Sequence, residues 1–166
     1  MRGRNVLLAA LVVLASLLIS AALTGCTSLF PPTYNPPAYI DEVVAYEAGY
    51  HAFQVYMTLR DSTGRETAWP GHLRLEIIEQ GWSYEEGEFE RQLWAGACEI
   101  SEENFGVCTV GAGAFAHDIL LCNLGRFEYS SFSTQPTEWS GEVRVWFTTP
   151  EGRELYGEAW VFFDVD

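Results

Sequence analysis

Three histidines, His51, His72 and His117, and three cysteines in the body of the chain, Cys98, Cys108 and Cys122, are the residues whose chemistry most often makes a site. Zinc takes such ligands, and Cys98, Cys108, His117 and Cys122 form the one set worth weighing. Zinc sites are built from ligand pairs two to four residues apart, and this set has none, so no metal is expected. His117-Asp118 beside the serines of Ser130-Ser131-Phe132-Ser133 suggests a base, its orienter and a nucleophile. Adjacent residues on a strand point to opposite faces, however, and no Gly-x-Ser-x-Gly elbow is present, so no catalytic residue is expected either. Val110-Gly111-Ala112-Gly113-Ala114 lacks the Lys-Ser/Thr of a phosphate loop. Glu85-Glu86-Gly87-Glu88 and Glu99 to Glu103 do not alternate ligands as a calcium loop does. The expectation is a non-enzyme without a cofactor.

Charge narrows the partners. The 166 residues hold nine Arg, no Lys and 23 Asp plus Glu, for a formal net charge of -14. Phosphate backbones and anionic headgroups are both repelled by such a field, so no nucleic-acid partner is expected. Apolar residues make up 48% of the chain and aromatics 14%, enough for a packed core and too much for an acidic disordered chain.

The N-terminus predicts location. Arg2 and Arg4 precede an uncharged Leu/Ala/Val run from Val6 to Leu23, the layout of a secretory signal. Leu23-Thr24-Gly25-Cys26 resembles the lipobox of prokaryotic lipoproteins, in which the cysteine thiol carries diacylglycerol and becomes the mature N-terminus. The resemblance implies cleavage after residue 25, lipidation of Cys26 and a membrane partner through that lipid. The place implied is the extracytoplasmic face of a cell envelope, at the outer membrane if the host has one, because Thr27 and not Asp follows the cysteine. An uncleaved apolar span and an ordinary signal peptide are the other readings of the same residues. Residues 26–40 then form a proline-rich tether, with Phe30-Pro31-Pro32 and Asn35-Pro36-Pro37 stiff enough to span about 40 Å.

With Cys26 assigned to lipid, three cysteines remain in an oxidising compartment, and one disulfide plus one free thiol is the default. Cys108 with Cys122 is the favoured pair. Each sits among apolar neighbours, and Gly111-Ala112-Gly113 can turn the chain back between them.

The elements that must carry these residues have a period of two. Phe53, Val55, Met57 and Leu59 alternate with polar or smaller residues, as do Leu73, Leu75 and Ile77; Val143, Val145 and Phe147; and Ala159, Val161, Phe163 and Val165. Phe89 to Trp94 is a shorter candidate strand. Asp61-Ser62-Thr63-Gly64 and Thr149-Pro150-Glu151-Gly152-Arg153 read as turns. Ser101 to Phe105 is the one candidate for a helical turn. Six to eight strands over residues 41–166 predict an all-β fold, an antiparallel β-sandwich, with a small barrel as the alternative. Phe53 to Ile77 and the hairpin around Thr149–Arg153 resemble immunoglobulin-like and fibronectin-III-like modules in architecture, without the Cys, Trp and Cys spacing of antibody domains.

Pairing the last two strands with Val143 opposite Val161 sets Arg144 against Trp160 and Trp146 against Glu158, with Phe162 on the same outer face. Such a stripe of Arg144, Trp146, Trp160 and Phe162 could stack on sugar rings or dock a partner, unless Arg144 simply stacks on Trp160. The functional expectation is therefore a lipid-anchored binding or scaffold module with an envelope protein or glycan partner. A carbohydrate-binding module using the aromatic face, and a metal-handling or enzymatic protein, are the alternatives.

Overall fold

The computed structural model describes residues 34–84, 87–110 and 116–165. Eight strands follow one another: β1 (Pro37–Glu47), β2 (Ala52–Asp61), β3 (Gly71–Ser83), β4 (Gly87–Ile100), β5 (Phe105–Val110), β6 (His117–Glu128), β7 (Ser140–Thr148) and β8 (Glu154–Phe162). Single 3-10 turns at Glu102–Asn104 and Tyr129–Ser131 interrupt them. The strands form two antiparallel four-stranded sheets, ordered β1-β2-β6-β5 and β4-β3-β7-β8. That order is the A-B-E-D and C′-C-F-G arrangement of an immunoglobulin-like sandwich.

The core lies where the alternating residues point. Val55, Met57 and Leu59 of β2 face Ile77 of β3 and Val143, Val145 and Phe147 of β7, and all are fully buried. Each such side chain contributes about 1.5–3 kcal/mol by leaving water. Phe53, Phe127, Tyr129, Phe132 and Phe163 close one end as an aromatic cluster. The Tyr129 hydroxyl accepts a bond from the Asp164 amide at 2.8 Å, so the chain leaving β8 is tied to the corner after β6.

Three expectations need correction. The tether does not extend to residue 40, because Pro37 opens β1 opposite Asp61. Before it, Asn35 donates to Asp61 at 2.8 Å and its carbonyl accepts from Thr67 at 2.6 Å. A proline is tolerated as the first residue of an edge strand, so a proline-rich stretch can run straight into a sheet. Second, β7 and β8 pair two residues out of the expected register: Val143 lies opposite Ala159, Arg144 opposite Glu158 and Trp146 opposite Tyr156. The turn sets this. Gly152 donates to the Thr149 carbonyl at 2.8 Å and Thr149 donates to the Arg153 carbonyl at 2.9 Å, while Gly152 at φ +84° takes the left-handed position of a three-residue loop. A slip of two residues keeps every side chain on its face.

Third, the Cys108–Cys122 bond is not formed, and all three described cysteines are free. Cys122 sits opposite Phe105, whereas Cys108 sits opposite Ile119, three positions along β5. An odd offset sends the two side chains to opposite faces, Cys122 into the core and Cys108 outward. Cys26 and the rest of the lipobox lie outside the described residues, as do Glu85, Glu86 and Gly111 to Phe115.

Candidate functional site

Alternation on the β4-β3-β7-β8 sheet places one set of side chains on its outer face. β3 contributes Arg74, Glu76, Gln80 and Trp82; β7 Glu142, Arg144 and Trp146; β8 Tyr156, Glu158, Trp160 and Phe162. Trp160 (64% exposed) and Phe162 (68%) are open to solvent, and so are Trp82 (57%) and Trp139 (62%) at the same end of the sheet. Trp146 is not part of that group. It is half-buried at the other end, tilted against Tyr156 at 5.4 Å, with the Arg74 guanidinium 3.9 Å above its ring. The arginine that stacks on a tryptophan is therefore Arg74 on Trp146, and the expected stripe is broken.

Arg144 is committed elsewhere. It forms ion pairs with Glu90 at 2.8 Å and Glu142 at 2.7 Å, and Gln80 donates to the same two carboxylates at 3.2 and 3.1 Å. Its guanidinium is held well above its usual range by these bonds, and Glu90 is held below the usual carboxylate range mainly by Arg144. Next to it Glu142 is pushed up, first by burial, while Glu158 is pulled down by the hydroxyl of Tyr156, which donates at 2.6 Å, and by a bond with Glu142. The two carboxyls are thus linked, and Glu142 is the one that holds a proton more tightly. Tyr156, partly desolvated beside this pair and bonded to Glu158, is pushed up to about 12.

Beside this network a groove of about 810 Å3 opens, walled by Trp82, Trp139 and Trp160 and carrying the carboxylates of Glu88, Glu90 and Glu138. The β3–β4 hairpin makes one wall, since its tip runs on past Glu79, where the pairing of β3 with β7 ends. The approach to β7 makes the other. Trp139 is fixed there by stacking on Phe162, with centroids 5.5 Å apart and planes at 8°, and by its carbonyl, which accepts from the Phe163 amide at 2.8 Å. Gly81 permits the close approach between the walls: a Cβ on it would lie 2.6 Å from both Glu138 Cγ and Phe89 Cζ.

Glu79 holds this approach in place. Its side chain is 0% exposed, it forms an ion pair with Arg91, and its second oxygen accepts the main-chain N–H groups of Thr137 and Glu138. An inward-pointing carboxylate where the pairing of β3 with β7 ends thereby fastens the segment that carries Glu138 and Trp139.

The remaining candidates do not converge. Among the described residues no three of His, Cys, Asp and Glu are grouped to hold a metal. Asp118 accepts from Thr109 at 2.6 Å, and the hydroxyls of Ser131 and Ser133 donate to the carbonyls of Glu128 and Leu93. His51 is stacked between Tyr50 and Tyr129, and His72 lies 3.0 Å from Glu99. Cys98 borders a small apolar cavity of about 240 Å3 with Leu73, Leu75, Trp94, Leu124 and Phe127.

Of the predicted surface, Trp160 lines the groove and Phe162 supports it, while Arg144 braces the adjoining network and Trp146 lies apart. Sequence reasoning missed Trp82, Trp139, Glu88, Glu90 and Glu138. Trp82 was within reach, because it continues the outward alternation of Arg74, Glu76 and Gln80 beyond Ile77.

No protein-family model matches the chain, and no curated protein does. Among solved structures the crystal structure of MtrC from Shewanella baltica OS185 is similar, with 11% sequence identity and a TM-score of 0.40 over 76% of this chain. The match takes in 21% of that chain, so this protein spans about a fifth of its length.

Proposed function

We propose that the protein is a non-catalytic, lipid-anchored binding module of a prokaryotic cell envelope, and that its ligand is a carbohydrate chain lying in the tryptophan-walled groove. The groove itself carries the reading: about 810 Å3 of open groove bordered by three exposed indoles, with amide and carboxylate groups between them. Indole faces are flat, apolar and stiff, suited to the C–H faces of sugar rings, while carboxylates and the Gln80 amide suit hydroxyls. The volume is that of a small-ligand site. Of the carboxylates at the groove, Glu90 is bound by Arg144 and its neighbour Glu142 by Glu158, which leaves Glu88 and Glu138 to meet a ligand. The anchor rests on Leu23-Thr24-Gly25-Cys26 and the apolar run before it.

Binding of the full chain in detergent to a panel of soluble polysaccharides, by affinity electrophoresis and calorimetry, tests the groove. Trp82→Ala and Trp160→Ala each weaken binding at least ten-fold, the cost of about 2 kcal/mol expected for a buried aromatic anchor, and Trp146→Ala changes it less than two-fold. A panel with no ligand, or equal losses in all three variants, refutes the reading. The anchor is tested separately: Cys26→Ala releases the exported protein from the membrane fraction, and retention of the variant in membranes with residues 1 to 25 intact refutes lipidation as the hold.

A further inference from the structure

The charge of the groove singles out one class of glycan. None of the residues lining it is Arg, Lys or His, and three are glutamates. Glu90 is neutralised by Arg144, through bonds at 2.8 and 3.2 Å. Glu88 and Glu138 are not: among the described residues neither carboxylate has an ion-pair or hydrogen-bond partner. The two arginines near this end of the sheet cannot serve them, since Arg91 is held by Glu79 and Thr137 and Arg144 by Glu90 and Glu142. Two unpaired carboxylates thus flank the Trp82, Trp139 and Trp160 rings in a chain whose net charge is -14. An indole face attracts a cation through its quadrupole, and a carboxylate beside it adds a charge-assisted hydrogen bond. An anionic glycan would be repelled by both the site and the whole-protein field.

Resting on the carbohydrate reading, we infer that the groove selects a polysaccharide with free, protonated amino groups, a de-N-acetylated hexosamine polymer, over neutral and acidic ones. The ring stacks on an indole, as any pyranose would. The ammonium donates to Glu88 or Glu138, which is the contact that an acetamido or hydroxyl group cannot match.

Oligomers of β-1,4-linked glucosamine and of N-acetylglucosamine, equal in length, separate the possibilities when titrated into the full chain in mildly acidic buffer that keeps the amines protonated. The glucosamine oligomer binds at least ten-fold more tightly, and the preference shrinks as salt rises. The double variant Glu88→Gln/Glu138→Gln cuts the preference to three-fold or less and leaves binding of the acetylated oligomer within two-fold of the parent. Glu102→Gln/Glu103→Gln removes the same charge from an exposed turn outside the groove and leaves the preference intact, which separates a site from a general attraction of polycations. Equal affinity for both oligomers, or equal effects of the two double variants, overturns the inference while the carbohydrate reading stands. Absence of binding by either oligomer and by every neutral glycan overturns both.

Discussion

Removing Glu79 probes the wall of the groove and the stability of the sandwich at once. Its carboxylate is fully buried and has three donors, the Arg91 guanidinium and the amides of Thr137 and Glu138. Glu79→Ala leaves both amides without an acceptor, at about 1–3 kcal/mol for each that stays dry. It also leaves Arg91 unpaired, and loss of one partner from a buried pair costs about 3–5 kcal/mol. Arg91 is 38% exposed and can rehydrate, so these costs overlap and a net loss of about 3–4 kcal/mol is expected. Glu79→Gln keeps one acceptor oxygen and the volume, and loses about 2 kcal/mol. Both variants stay folded if the domain has the usual 5–15 kcal/mol. At roughly 3 °C per kcal/mol for a domain of this size, Tm falls by about 10 °C for the alanine variant. Urea unfolding followed by tryptophan fluorescence reads the change directly as a lower midpoint with unchanged slope. Because Glu138 and Trp139 are fastened through Glu79, the alanine variant would also weaken the proposed glycan binding at temperatures where it is fully folded. A loss under 1 kcal/mol, or alanine and glutamine variants that unfold at the same midpoint, refutes the account of Glu79 as the fastener.

Reductant leaves Tm unchanged, since no described cysteine is bonded; alkylation in the folded state labels Cys98 and Cys108, and mass spectrometry finds Cys122 labelled only on unfolding, its thiol pushed up to about 12 by burial. Gly157→Ala places a Cβ 2.8 Å from Ile40 and 2.9 Å from Val43, so β1 must shift away from β8 at a cost of about 1–3 kcal/mol, read as a lower urea midpoint. Asp61 accepts bonds from Asn35, from the amide and hydroxyl of Thr63 and from the Arg65 amide, which hold its carboxyl well below the usual range. Its contribution is therefore complete above the unfolded carboxylate value of about 3.9 and is lost as pH falls below it. Asp61→Asn is less stable at neutral pH and shows a shallower loss on acidification, whereas identical acid limbs for the two proteins would refute that role.

Most of the sandwich is legible because burial on one face forces a period of two. Phe53 to Leu59, Leu73 to Ile77 and Val143 to Phe147 carry it without interruption, and all turn inward. β5 and β6 were harder to see. Gly106, Thr109 and Asn123 dilute their pattern, and β5 is a short edge strand whose Val107 stays exposed. Register could not be read from apolar pattern alone, since a shift of two residues satisfies it equally; the hydrogen bonds of Gly152 and Thr149 decide it. The groove was only half legible for a related reason. Trp160 and Phe162 lie on a strand with a clear period, but Trp139 and Glu138 precede β7 in a segment without one, and contacts distant in sequence, the buried carboxylate of Glu79 and the Phe162–Phe163 end of β8, fix where they go.

The two ends of the sandwich differ in mechanical role. The chain enters β1 at Pro37, opposite Asp61, where Arg153 in the turn between β7 and β8 donates to the carbonyls of Pro37 and Ala38. The tryptophan groove lies at the other extremity, where β3 and β8 finish and β7 begins. The nine residues of β8 put the two about 30 Å apart. A ligand held by the groove and a support pulling at Pro37 would therefore draw the module along its strand axes. Backbone bonds between antiparallel strands run across that axis, so the β1–β2 ladder would bear the tension in shear, all its bonds at once, and would not peel open one pair at a time like a zip.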